Sequence, residues 1–200
     1  MSRPGHVIQQ TALPADFPTH RHTPAFWESL GRAVATFGFL EDALSKAIFA
    51  LTATTHYEEK DIDTAYNAWL QTLERALVDP LGNLIDVYGK ALRKNQDANV
   101  ENLDGLLTDL RSASALRNVI CHASWPPPDT KGATVPSFVN KKHEVFQSPV
   151  DISFLQQLQR SAADLACAVI NTVTHIGWQF PGSSGPGEAI WNAAARSTAQ

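Results

Sequence analysis

The chain has 200 residues, which fits one domain or one domain with short tails. Hydrophobic residues make up 44% and charged residues 18%, enough apolar side chain for a packed core. Sixteen basic against twenty acidic residues give a formal charge of −4, so no overall basic field draws in nucleic acid, and only a local basic site is left open.

Cys121 and Cys167 both sit in apolar helical runs, and neither belongs to a CxxC pair. This argues against a disulfide framework or a zinc site and predicts two buried free thiols in a reducing compartment. No apolar run approaches the roughly 20 residues needed to cross a bilayer, and "MSRPGHVIQQ" lacks the apolar centre of a signal peptide. The expectation is a cytoplasmic protein without a membrane partner.

Residues 1–22, rich in Pro, His and Thr, read as a flexible arm. Its "HRH" at 20–22 has no carboxylate or cysteine close by and reads as solvated tail rather than metal site. From Pro24, the residues Trp27, Leu30, Val34, Phe37, Leu44, Ile48 and Leu51 recur at helical steps, predicting a narrow apolar seam on a long helix. The step after Phe37 lands on Glu41. A carboxylate in a buried stripe needs a cation or hydrogen-bond donors.

A polar link then leads to a helix over 62–77 carrying Tyr66, Trp69, Leu70, Leu73 and Leu77. Asp79-Pro80 reads as an N-cap followed by Pro at the first helical position. The next helix runs through Leu81, Leu84, Ile85, Tyr88 and Leu92 and closes on basic residues. A further helix over about 100–122 carries Leu103, Leu106, Leu107, Leu110, Ala113 and Ser114, and its next step lands on Arg117. One seam therefore holds a lone acid and another a lone base, and a Glu41–Arg117 pair would solve the burial problem of both.

Pro126–Pro128 stop that helix. Residues 131–150 hold β-branched and aromatic residues around a polar centre and predict a small hairpin about Asn140 and Lys141, with Pro136 confining its strand to an edge. Asp151 or Ser153 caps a last helix through Phe154, Leu155, Leu158, Leu165, Val169, Ile170, Val173 and Ile176. Residues 181–200 read as a flexible tail. The predicted fold class is all-α: a bundle of four to five helices over residues 23–180 with one small β-hairpin or loop excursion before the last helix.

"LRNVICH", residues 116–122, carries an Arg, a polar Asn directly after it and a His at a helix C-terminus. With the acid embedded in a long first helix and a closing helix after the motif, the chain resembles the HEPN superfamily, helical bundles marked by R-x(4–6)-H. The resemblance covers roughly residues 24–178 in layout and about six residues in motif. It implies a metal-independent endoribonuclease, needing no cofactor and no metal ligands, and acting as a homodimer with the two Arg–His motifs facing each other. A toxin or defence effector, met by an antitoxin or other protein partner, belongs to the same implication.

The chemistry suits the residue types. Arg117 would hold a phosphate bidentately, and His122 would transfer protons to and from the ribose 2′-hydroxyl. Asn118, four residues before His122, shares its helix face and would orient the imidazole, while Glu41 would hold Arg117. Arg117 and His122 lie about 140° apart on an ideal helix, so a distorted last turn or two chains pooling their motifs is required. Lys141 and Lys142, and separately Lys90, Arg93 and Lys94, are weaker RNA-binding candidates. His143, on the expected hairpin, and His175, on the last helix, are expected to face water or pack, and Trp69 and Trp178 to serve core or dimer contacts. The competing reading makes Arg117, Asn118 and His122 ordinary cap and packing residues of a non-catalytic dimerisation or interaction module.

Overall fold

The structure is a computed structural model, and it describes residues 5, 7–55, 58–76 and 80–183. Among these are five helices: α1 (Pro24–Ala53), α2 (Ile62–Ala76), α3 (Leu81–Lys94), α4 (Leu103–His122) and α5 (Ile152–Thr174). Between α4 and α5 the chain forms isolated antiparallel bridges instead of continuous strands: Ser124 with Ser137, Thr134 with Val150, and Val139 with Val145. This is the all-α bundle with one small excursion that the hydrophobic periodicity predicts.

α1 starts where Thr23 accepts a hydrogen bond from the Phe26 amide (3.3 Å) ahead of Pro24 at the first turn. At about 1.5 Å per residue it is the longest rod in the bundle, and α2, α3, α4 and α5 all pack on it. Its buried surface is therefore wide rather than a narrow seam. Phe26, Ala33, Leu40, Ala43 and Ala47 are buried along with Leu30, Phe37, Leu44, Ile48 and Leu51, whereas Val34 is 37% exposed and Trp27 half-buried. α5 packs along α1 most extensively. Ala33, Ala43 and Ala47 on α1 and Ala162 and Ala166 on α5 are buried, and such short side chains let two helix axes approach closely.

The remaining helices follow from local chemistry. Leu77 and Asp79 lie outside the described residues; Pro80 occupies the N-cap of α3 rather than its first turn. α4 begins at Leu103, after Asn102, whose left-handed backbone (φ 55°, ψ 44°) lets its side chain accept from the Gly105 amide at 3.3 Å. Asp151, not Ser153, caps α5 by accepting from the Phe154 amide at 2.7 Å. Gly89 lets α3 meet α4, because a Cβ there would lie 2.9 Å from Cδ1 of Leu107. The adjacent Tyr88 is fully buried, its hydroxyl 3.0 Å from that of Thr172 on α5. The start of α4 and the end of α5 thus meet the same point of α3, so α4 and α5 run antiparallel.

Two expectations fail. His22 does not belong to a solvated tail: it is buried, stacked on Phe26 at 4.3 Å, with Nε2 2.8 Å from the Pro126 carbonyl. Trp27 donates its indole N–H to the Thr19 carbonyl at 2.7 Å, so residues 19–22 are tied to the bundle. The aromatic surface of α1 attracts them, which periodicity within the arm does not reveal. The cysteines form no disulfide, but Cys121 is exposed and Cys167 only partly covered, because each falls off the core face of its helix. Trp178 is 43% exposed and is no core residue, whereas Trp69 is half-buried and donates to the Thr52 hydroxyl at 3.0 Å. No helix among the described residues is long and apolar enough to cross a membrane.

Leu44→Ala should lower the unfolding free energy by about 2–5 kcal/mol, and Val34→Ala by less than about 1 kcal/mol, in chemical denaturation. Equal losses would contradict the outward placement of Val34. Burial pushes the Tyr88 phenol above its usual range, with the hydrogen bond to Thr172 opposing more weakly. The folded-state pKa is raised, so this contribution is fully present below the free phenol value of 10.0 and is lost as pH rises beyond it. Tyr88→Phe should accordingly flatten the alkaline decline of stability relative to the unaltered chain, measured as the difference in denaturation midpoints between neutral and alkaline buffer.

Candidate functional site

The second half of α4 lies along an open groove of about 1710 Å³. One wall is α1 at Glu41, Asp42 and Ser45; another is the start of α3; the third is the hairpin over residues 138–146. Arg117, Asn118, His122, Lys141 and Lys142 all line it, as does Glu41. The sequence-derived site residues of α1, α4 and the hairpin are thus brought together. Lys90, Arg93 and Lys94 are not: they sit at the far end of α3 from its groove-lining first turn, and Arg93 is paired with Asp104 at 2.6 Å.

The partnership demanded by Glu41 is present. Arg117 Nη2 lies 3.2 Å from Glu41 Oε1, with the side chains 26% and 28% exposed respectively. Oε1 itself is shielded from solvent and makes no geometrically sound hydrogen bond among the described residues. The distance satisfies an ion pair but the alignment does not satisfy a hydrogen bond, so the contact is one of charge. A guanidinium carries five N–H donors, and Glu41 engages one edge of it.

His122 is exposed. It is not sealed under Trp125, whose ring turns toward the core against Phe26 (5.3 Å between centroids) and Trp27 (6.5 Å). The expected bond between Asn118 and His122 is not formed: the two side chains line the same groove, but no hydrogen bond joins them. Nor is the last turn of α4 distorted, since the Ala123 amide still reaches the Val119 carbonyl at 2.9 Å. A regular helix keeps Arg117 and His122 on different sides of its axis. They share one groove because it wraps the end of α4, from α1 and α3 on one flank to the hairpin on the other.

Asn140 builds the hairpin tip. Its Oδ1 accepts from the Lys142 and Glu144 amides at 2.9 and 3.0 Å, and its Nδ2 donates to the Glu144 carboxylate at 2.7 Å. Lys141 and Lys142 are exposed on this tip beside His143, whose φ is 63°. The lining holds Arg117, Lys141 and Lys142 against Glu41, Asp42 and Glu144. Each acid is engaged: Glu41 by Arg117, Asp42 by Lys46 at 2.7 Å, and Glu144 by the Asn140 amide. No acid pairs with Lys141 or Lys142 among the described residues, which leaves two free positive charges facing the groove.

Sequence reasoning missed the start of α3. Pro80, Leu81, Gly82 and Asn83 line the groove, and no side chain among the described residues caps this helix. Helix N-termini present unpaired amides and a partial positive charge. The absence of Ser, Thr, Asn or Asp at residue 80 was a readable signal, but its position beside Arg117 is a tertiary fact. The chain matches no family model, no curated protein and no solved structure.

Arg117→Ala removes the counter-charge of a largely covered carboxylate and should cost about 1–3 kcal/mol in denaturant unfolding, while His122→Ala should stay within about 0.5 kcal/mol. Adding Glu41→Gln to Arg117→Ala should recover part of the loss. A strictly additive double variant would show that the pair is not energetically coupled.

Proposed function

We propose that the chain is a metal-independent endoribonuclease of the HEPN type, acting as a homodimer, with a toxin or defence role as the biological setting. The observation that carries the reading is the meeting, in one open groove, of a solvent-accessible His122, a partly exposed Arg117 and two lysines free of acid partners. A base takes the proton of the ribose 2′-hydroxyl, the oxygen attacks phosphorus, and the 5′-oxygen leaves as it receives a proton. The products are a 2′,3′-cyclic phosphate and a 5′-hydroxyl end. Arg117 neutralises the phosphate oxygens as charge builds there. Glu41 keeps the guanidinium in place, and Lys141, Lys142 and the uncapped start of α3 attract the phosphates on either side. Asn118, on the groove beside His122, is available to the ribose or base.

The reaction needs a general base and a general acid, and one imidazole is in one protonation state at a time. Among the described residues, His122 is the one histidine that lines the groove of one chain. A second chain with its own motif supplies the other proton-transfer group, which is why the homodimer belongs to the mechanism.

A second reading, a non-catalytic dimerisation or interaction module, is favoured by the unanchored ring of His122, which no hydrogen bond orients in the described residues. RNA cleavage by the purified protein in EDTA separates the two. The nuclease reading expects cyclic-phosphate ends that vanish with His122→Ala, and a Lys141→Ala/Lys142→Ala variant whose RNA affinity depends less steeply on salt, its slope reduced by about 1–2 phosphate contacts. Equal cleavage by the unaltered chain and His122→Ala, or none by either as folded dimers, would give the interaction module the better claim.

A further inference from the structure

A second groove runs between α4 and α5, on the other flank of α4 from Arg117 and His122, and encloses about 1090 Å³. We propose that it docks a basic amphipathic helix of a partner protein. The proposal rests on none of the motif residues.

Shape comes first. The lining on α4 extends from Asn102 to Leu116, about 21 Å along a helix at about 1.5 Å per residue. On the antiparallel α5 it extends from Phe154 to the C-cap residue His175. The trough is therefore long and walled by two helices. A third helix is the body that fills such a trough, laying down anchors at spacings of three and four residues.

Chemistry sets the kind of helix. Leu106, Leu116, Leu158 and Leu165 give the groove an apolar floor, all but Leu158 only partly buried. Above them stand Glu101, Asp109 and Asp164, all exposed, and no Lys or Arg among the described residues lines the groove. None of these three carboxylates is ion-paired among the described residues. Leucine floor and acidic walls call for a helix with an apolar stripe flanked by Lys or Arg. A second copy docking through the same groove would bring the same acids against themselves. The chain's own residues 184–200 hold one acid, Glu188, and one base, Arg196, so they offer no net positive charge.

The test uses the full chain and a fluorescein-labelled Leu/Lys peptide of about 18 residues, long enough to span the groove at about 1.5 Å per residue. Its controls are a shuffled peptide of the same composition and a Leu/Glu peptide with the same stripe. Fluorescence anisotropy should show the striped Leu/Lys peptide binding about tenfold more tightly than either control. Asp109→Lys with Asp164→Lys should remove about that factor, and the milder Asp109→Asn with Asp164→Asn should remove part of it. Asp61→Lys with Asp63→Lys, at exposed positions just before and within the first turn of α2, changes net charge equally and should leave the affinity unchanged.

Equal loss in both lysine variants would reduce the effect to bulk charge and overturn the proposal, as would equal binding of striped and shuffled peptides. Two further results would overturn it by naming another occupant. Asp109→Lys with Asp164→Lys shifting the sedimentation of the peptide-free chain would assign the groove to a second copy. A tenfold gain in peptide affinity on deleting residues 184–200 would assign it to the chain's own end.

Discussion

Burial of one broad face of α1 is the constraint from which the rest of the molecule follows. Four helices pack on this one rod, so any residue on its packed face that is not apolar must be reconciled with covered surroundings. Glu41 is such a residue, and it is held by the charge of Arg117. Leaving it alone would strand a carboxylate where water is scarce, so α4 must pass within reach of α1 at that level. α4 also packs on α3 and α5, and a groove opens along each of its outer flanks: toward the start of α3 and the hairpin, and toward α5. Ser112 and Leu116 line both. α4 is therefore a helix with one packed face, Leu107, Leu110 and Ile120 buried in the core and Arg117 paired with Glu41, whose outer flanks border the two grooves.

Much of this was legible in the sequence, because it depends on residues that violate their own pattern. An acid in one apolar stripe and a base in another are two local anomalies with one economical solution, and the solution is present. Helix positions were equally readable from steps of three and four, and the hairpin from Asn140 between β-branched runs. Helix ends were less so. α4 starts later than periodicity suggests, since Asn102 caps it from a left-handed backbone that only its own side chain makes worthwhile.

What stayed hidden depended on long-range neighbours. Nothing near His22 in sequence shows that the Pro126 carbonyl lies beside its ring. The width of burial on α1 could not be read from α1, because a stripe becomes broad only when several partners share one helix. The separation of Lys90, Arg93 and Lys94 from Lys141 and Lys142 is of the same kind: equal in composition, they are sorted by which end of α3 meets the groove. The missing Asn118–His122 bond has a different cause. Spacing of four places two side chains on one face, but at an exposed helix end water competes for every donor and acceptor, and a shared face is not a contact.

The two central residues of the motif stand in opposite relations to stability. Arg117 is bound to the fold through Glu41, so its removal mixes chemistry with packing. His122 projects from the last turn of α4, while the chain turns immediately afterwards to bury Trp125 against Phe26. The same helix end thus places an aromatic anchor inward and an imidazole outward. With no hydrogen bond or ion pair among the described residues, His122 can be altered at little cost to the fold, so the effects of altering it report mainly on what enters the groove. Arg117 carries no such separation, and a functional role for it becomes readable only when Glu41 is neutralised with it.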